Sequence, residues 1–391
     1  VLKPVGDAHG YASFDRYAVS FAGGPQALHA ELRFCPSRGK FGAPIPQSKE
    51  ILMAVEKFTM PAEWAPQEAV WFAWPGMPGW WPSCRDEAFA QFSAMLVKIS
   101  SATPVNLLCA KSYRKEALRH LLGAGADLAM FTFLEYRTDD VWCRDFGPIF
   151  VKGDQGSMKI VDWGFNAWGG KFPRFKRDDA APQAIAQALG LKCEIPGVIL
   201  EGGGIEVNGE GVCITTESVL LNANRHPGMT KKKLETLMKK HLGISDVIWL
   251  KDGLKNDDTD GHIDNLTRFC GPRTVLTAVA PKGNPNYEQL AANKKVLSDW
   301  RGADGKGLEI IDLPIPDEMY KDGEIMPASY ANFLITNNLV LVPLYGQKKK
   351  DAEAMKVIQK AFPKHRVEGA LCTAILHEGG AIHCLSQQQP C

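Results

Sequence analysis

The chain has 391 residues, 45% hydrophobic and 23% charged, a balance that places it among soluble globular proteins rather than disordered chains. Its 45 basic and 44 acidic residues leave a net charge of +1, too little field to draw in a phosphate backbone, so nucleic acid is excluded as the expected partner. Apolar stretches such as Leu334–Leu344 are interrupted by Thr, Asn or Pro and fall short of the roughly 20 residues that span a bilayer, so no membrane role is expected.

Residues 1–52 are rich in Gly, Pro, Ala and Ser, show no sustained periodicity and contain no methionine. They are read as an extension outside the fold, disordered or not native, with one catalytic domain over 53–391. No basic segment followed by an apolar core marks a secretory signal; an organellar transit peptide is left open, weakly supported because the segment carries four acidic residues. Ten cysteines without a C-x-x-C pair indicate neither a zinc framework nor disulfides. They read as reduced thiols of a cytoplasmic protein, mostly buried, with at most one reactive.

Beyond Met60 helix and strand alternate. Apolar spacing of three and four predicts helices over Tyr113–Ala124, Pro182–Leu191, Lys231–Leu242, Tyr287–Trp300 and Ala352–Phe362. Each precedes a short apolar run read as a strand: LAMFTFLEY, CEIPGVIL, DVIWL, LEIIDL and VEGALCTAIL. Polar or Gly-rich segments then follow, TDDVWCRDFGP, EGGGIEVNGEG, DDTDGHIDN, ASYAN and EGGAIHC, before another β-like run. The unit recurs about five times. It suits either units set around an axis or one open α/β sheet. A dinucleotide fold is disfavoured, because EGGGIEVNGEG leads into a strand rather than a helix.

Several loop residues could do chemistry. Asp145 precedes a Gly-Pro turn and could be a turn cap. Glu201 follows an apolar strand and could be a solvated strand end. In TDGHIDN, His262 and Asp264 are two apart, so an extended segment would place both, with Asp260, on one face. Carboxylates beside a histidine favour its protonated form, which suits an acid that later serves as a base. A locally bonded polar loop is the plain alternative, and a His-x-Asp metal pair lacks further ligands. Cys384 lies beside glycines that allow close approach of a substrate, although a single thiol is ordinarily structural. In a strand His383 would face away from Cys384, which favours His262 as its partner. A thiol, a histidine and three carboxylates would repel a developing oxyanion but suit a guanidinium with five N–H donors.

The segments MPAEWAPQEAVWFAWP, WCRDFGPIFV, DWGFNAWGG, LEGGGIEVNGEG, DDTDGHIDNLTRF and EGGAIHCLSQQQP resemble, in order, the motifs of the agmatine deiminase (agmatine iminohydrolase) family of the guanidino-group-modifying superfamily. The resemblance covers about Met60 to Pro390. It implies a five-bladed pseudo-symmetric α/β propeller with the active site at its central axis. It also implies Cys384 as nucleophile, His262 as acid/base, and Asp145, Glu201 and Asp264 as holders of the guanidinium and the histidine. Trp142 would line the channel and Asp258 add acidic lining. The implied substrate is agmatine, cleaved through an amidino-cysteine to N-carbamoylputrescine and ammonia, without metal or other cofactor. Departures are Glu378 and Ala381 in place of Gly and Asn, Cys143 and Phe146 beside Asp145, and Gly204 in place of Ser. The rival readings are a peptidylarginine deiminase of the same family, a silent guanidine- or polyamine-binding protein, and a metal hydrolase using His262 and Asp264. Arg144 keeps an arginine carboxylate in play, and a homo-oligomer is left open.

Overall fold

A computed structural model describes residues 56–391 and the two-residue strand Phe14–Asp15, which pairs with Phe133 and Leu134. The rest of the expected extension lies outside the described residues.

The fold is mixed α/β, built by repetition of one unit. A short strand pairs with an antiparallel neighbour, a helix follows, and a third strand returns parallel to the second. Ile205–Val207, Val212–Thr216, helix Lys231–Leu242 and Asp246–Leu250 are one such unit, with Val212 opposite Asp246 and Thr216 opposite Leu250. Thr267–Phe269, Thr274–Val279, Tyr287–Asp299 and Glu309–Pro314 make the next. Leu334–Ile335, Leu339–Leu344, Lys348–Ala361 and Arg366–Leu371 make another. Upstream, Ile149–Gly153, Met158–Val161, Ala181–Leu189 and Lys192–Glu194 obey the same pattern. The remaining unit joins the two ends of the described chain. Gln387–Pro390 lies antiparallel to Gln67–Ala73, which runs parallel to Val105–Leu108 after helix Arg85–Ser100.

Local chemistry accounts for the elements. Strand Leu339–Leu344 is almost wholly buried, as expected for a parallel crossover strand covered on both faces. Helix Lys231–Leu242 buries Leu234, Met238 and Leu242 and leaves its lysines outside. The Thr230 side chain caps its start by accepting from the Lys233 N–H at 3.4 Å, and Gly243 ends it at φ 70°. Among the described residues, no helix is long and apolar enough to cross a membrane.

The sequence expectations hold for helix Lys231–Leu242 and strand Asp246–Leu250 and shift elsewhere. Helix Arg85–Ser100, absent from them, buries Phe89, Phe92, Leu96 and Ile99 at helical spacing. The expected helix at Ala352 starts earlier, at Lys348. Of CEIPGVIL only Cys193 and Glu194 lie in a strand, Lys192–Glu194, because Pro196 cannot donate to the ladder and Gly197 turns at φ 76°. Ile199 then makes only a bridge to Gly164.

The last strand has a stability consequence. Beyond its ladder, the Gln389 side chain accepts from Trp71 Nε1 at 2.8 Å, and Gln387 and Gln388 each accept from Arg144 Nη1 at 2.6 Å. At about 1 kcal/mol per hydrogen bond, deleting residues 387–391 should cost several kcal/mol and leave Arg144 short of acceptors. Urea denaturation should show a clearly lower midpoint for the truncated protein; an unchanged midpoint would show that this strand does not hold the first unit.

Candidate active site

The loops that lead from one unit to the next occupy 135–148, 195–204, 251–266, 315–333 and 372–386. Cys384 is buried in the last of them. Gly380 is pressed between it and Trp142: a Cβ there would lie 2.5 Å from the indole and 3.1 Å from the Cys384 Cβ, so only glycine leaves the space. Asn332, from another loop, clamps the thiol. Its Oδ1 accepts from the backbone N–H groups of His383 and Cys384 at 3.0 and 3.3 Å, and its Nδ2 reaches Sγ at 3.0 Å. Burial pushes the Cys384 thiol pKa well up, and the carboxylates of Asp264 and Asp145 push it further, against the Asn332 hydrogen bond.

Gly203 marks where the other groups meet. A Cβ at this position would lie 2.5 Å from His262 Nδ1, 2.6 Å from Asp145 Oδ1 and 3.2 Å from Asp264 Oδ2. Asp145 sits in the one-turn helix Cys143–Phe146, ended by Gly147. Its Oδ1 accepts from the Gly203 N–H at 3.1 Å and lies 3.4 Å from His262 Nδ1, and its Oδ2 accepts from Trp168 Nε1 at 3.0 Å. Ala167 and Trp168 take left-handed backbone, φ 55° and 53°, a strain that accompanies the presentation of this indole. Burial lifts Asp145 to about 6, helped by Asp264 and Glu201 and opposed by His262 and Trp168.

His262 is fully buried, and neither ring nitrogen has a hydrogen-bond partner. Burial alone would depress its pKa; the carboxylates of Asp145, Glu201, Asp264 and Asp257 outweigh that and raise it. Glu201 is also fully buried. Its Oε1 accepts from Arg225 Nε at 2.8 Å, while its Oε2 is unpartnered, as is Asp264 Oδ1. Buried carboxylate oxygens are rarely left in this state unless a ligand satisfies them.

A cavity of about 500 Å³ reaches this cluster at Asp145 and Cys384, with Glu201, His262 and Asp264 fully buried behind its wall, a size suited to a small molecule. Its walls carry the carboxylates of Asp140, Asp145, Asp257, Asp258, Glu324 and Glu378 and the ammonium groups of Lys171 and Lys321. Both cations are engaged. Lys171 Nζ donates to the Asp258 carbonyl at 2.5 Å and to Asp260 Oδ1 at 2.7 Å, and Lys321 Nζ donates to the His377 carbonyl at 2.7 Å. Trp80, Trp142, Trp168 and Phe172 add apolar lining. Among the described residues, no group of three or more His, Cys, Asp and Glu side chains is arranged to hold a metal ion.

The structure thus gathers Cys384, His262, Asp145, Glu201 and Asp264, with Trp142 and Asp258 on the cavity wall. Two sequence expectations need correction. The TDGHIDN segment is not extended: Asp260 turns at φ 69° and His262 precedes a 3-10 turn over Ile263–Asn265. Asp260 therefore leaves the shared face and pairs with Arg225 and Lys171. Arg144 does not serve the cavity either. It is buried, donating to the His383 carbonyl, Gln387 and Gln388. Sequence reasoning missed Asn332, Trp168 and Arg225; ASYAN and DWGFNAWGG carried the first two within recurring segments, but nothing in Arg225's surroundings marked it.

The comparisons with known proteins agree. The family model described as Porphyromonas-type peptidyl-arginine deiminase matches residues 59–390. Agmatine deiminase of Ectopseudomonas mendocina is 39% identical over 357 residues, spanning 85% of this chain and 95% of that protein. The solved agmatine deiminase of Enterococcus faecalis superposes with a TM-score of 0.80 at 32% identity, covering 85% of this chain and 96% of that one. A cysteine-to-serine variant of C. jejuni agmatine deiminase with substrate bound gives 0.78 at 30% identity, covering 87% and 98%. The chain belongs to the Porphyromonas-type peptidyl-arginine deiminase family, alongside the agmatine deiminases.

Proposed function

We propose that the protein is an agmatine deiminase, hydrolysing agmatine to N-carbamoylputrescine and ammonia. The observation that carries this reading is the pair of unpartnered buried carboxylate oxygens, Glu201 Oε2 and Asp264 Oδ1, in a site that also holds Asp145, His262 and a buried thiol. Such acceptors match the N–H donors of a guanidinium. The repeated units are read as blades of a five-bladed α/β propeller over residues 53–391, with these loops converging on its axis.

Chemistry follows from the charges. In the resting site the thiol is protonated, because burial and two carboxylates oppose a second anion. An arriving guanidinium offsets that field, lowers the thiol pKa and lets its proton pass through the cavity to solvent water. Sγ then attacks the guanidinium carbon, forming the C–S bond of a tetrahedral adduct. Protonated His262 passes its proton to the departing nitrogen, the C–N bond breaks, ammonia leaves and an amidino-cysteine remains. Neutral His262 takes a proton from water as its oxygen attacks the same carbon. Collapse forms the ureido C=O and breaks the C–S bond, the hydroxyl proton returns to Sγ, and the ureido product leaves with His262 again protonated.

The tail of the substrate decides between agmatine and arginyl substrates. An arginine or peptide presents a carboxylate or amide where agmatine presents an ammonium. Six carboxyl groups line the cavity against two engaged lysines; burial drives the Asp140 pKa well up, so that group adds no charge, and the acidic lining that is left favours the cationic tail.

Ammonia release should be rapid from agmatine and slight from arginine or arginyl peptides; equal turnover of arginyl peptides would assign the peptidyl activity instead. Cys384→Ser should lower turnover by more than about a thousandfold while agmatine binding persists, and mass spectrometry of quenched wild type should find the amidino adduct on Cys384. Binding without any turnover by wild type would leave a guanidine-binding protein. Asp145 must be ionised to hold a cation, so kcat/KM should fall as pH drops through about 6, with a limb absent for Asp145→Asn, which should be slow at every pH. A methyl at Gly203 would intrude on His262 and Asp145, so Gly203→Ala should cost about a hundredfold or more in kcat/KM with only a small change in the denaturation midpoint.

A further inference from the structure

His383 takes no part in the steps above, yet both of its ring nitrogens meet carboxylates. Nδ1 lies 2.7 Å from Asp264 Oδ2 and Nε2 lies 2.8 Å from Glu63 Oε2, with the ring buried. The far carboxylate has no proton to offer. Glu63 Oε1 accepts from the Ile335 N–H at 2.7 Å, and Oε2 accepts from Arg268 Nη2 at 2.5 Å. His383 Nε2 must therefore be the donor. Nδ1 donates as well if Asp264 is ionised, which makes the ring an imidazolium.

Charge balance favours that state. Glu206 is a carboxylate too, since its oxygens accept from the Phe269 N–H and from Arg268 Nε, each at 2.8 Å. Arg144 Nη2 lies 3.9 Å from Glu63. Glu63, Glu206 and Asp264 are then matched by Arg144, Arg268 and an imidazolium at His383, whereas a neutral ring would leave a buried anion without a counter-charge.

We propose that His383 is the positioning residue for Asp264: as an imidazolium strapped between Asp264 and Glu63, it keeps Asp264 ionised and, by occupying Oδ2, leaves Oδ1 for the substrate. The groups facing Asp264 are His262, Asp145 and Cys384 on the substrate side, with Arg268 and Arg144 behind. The anions and burial raise the Asp264 pKa, whereas His383, His262 and Arg268 outweigh them and lower it. Loss of the His383 charge moves Asp264 toward its protonated, inactive form, most of all at low pH.

The role of Asp264 as a guanidinium acceptor rests on the agmatine deiminase reading; the protonation state of His383 does not. Neutron diffraction from deuterium-exchanged wild-type crystals should find deuterium on both Nδ1 and Nε2 of His383 and none on Asp264. A singly protonated ring, or a proton on Asp264, overturns the proposal whether or not agmatine is turned over. In the kinetic arm, His383→Asn keeps a donor near Asp264 without the charge. Its kcat/KM deficit against wild type should be at least tenfold larger at pH 6 than at pH 8.5. An equal deficit at both pH values would make His383 a packing residue only. Wild type without ammonia release would sink the deiminase reading instead, and the neutron result would still decide His383.

Discussion

The site depends on one buried side chain that touches no substrate. Arg268 is fully buried and places all its hydrogen bonds on four groups: the carboxylates of Glu206 and Glu63 and the carbonyls of Ala331 and Phe333. These acceptors come from three segments far apart in the chain, at Glu63, at Glu206 and at 331–333, so one guanidinium fixes their spacing. A charge taken from water to this depth costs several kcal/mol unless nearly every donor is matched, and removing any one partner strands the others. Glu63 in turn holds His383, the residue next to Cys384, and His383 holds Asp264. Placement of Cys384 and of the Asp264 carboxylate is thereby tied to a network that cannot relax one member at a time.

Burial has opposite effects on the two sides of this network. On the inner side, cations match the carboxylates, and Glu63 is held well below the usual carboxylate range. On the cavity side His262 offsets Asp145 only in part, so burial still lifts the Asp145 carboxyl to about 6 while the Cys384 thiol is driven up. Negative charge is in excess there. In the proposed reaction a guanidinium offsets it, so binding and activation of Cys384 become one event. Glu378 lies on the cavity wall, as does Asp258. Burial raises its pKa, which Lys321 opposes.

Much of the repeat was legible in the sequence because its signals are local. Leu234, Met238 and Leu242 lie on one helical face, and DVIWL reads as a strand without reference to any partner. The reactive residue types were legible for a related reason, since they recur after each parallel strand. The error over TDGHIDN was also local: two-residue spacing implies a shared face only in extended backbone, and the positive φ of Asp260 and Gly261 breaks it. His262 and Asp264 still meet, but because Gly203 leaves them room.

The sequence by itself determined the order of units, the elements with strong periodicity and the set of groups able to act on a guanidinium. Tertiary structure alone decided which groups pair. Glu63 and His383 are 320 residues apart and His383 and Asp264 are 119 apart, and no local pattern encodes such contacts. Adjacency misled in the other direction. His383 is next to Cys384 in the chain, yet its ring turns to the buried carboxylates, while the thiol meets Asn332 and opens to the cavity. The reason is electrostatic: an imidazole flanked by two buried carboxylates gains more by bridging them than by facing a thiol that burial keeps neutral.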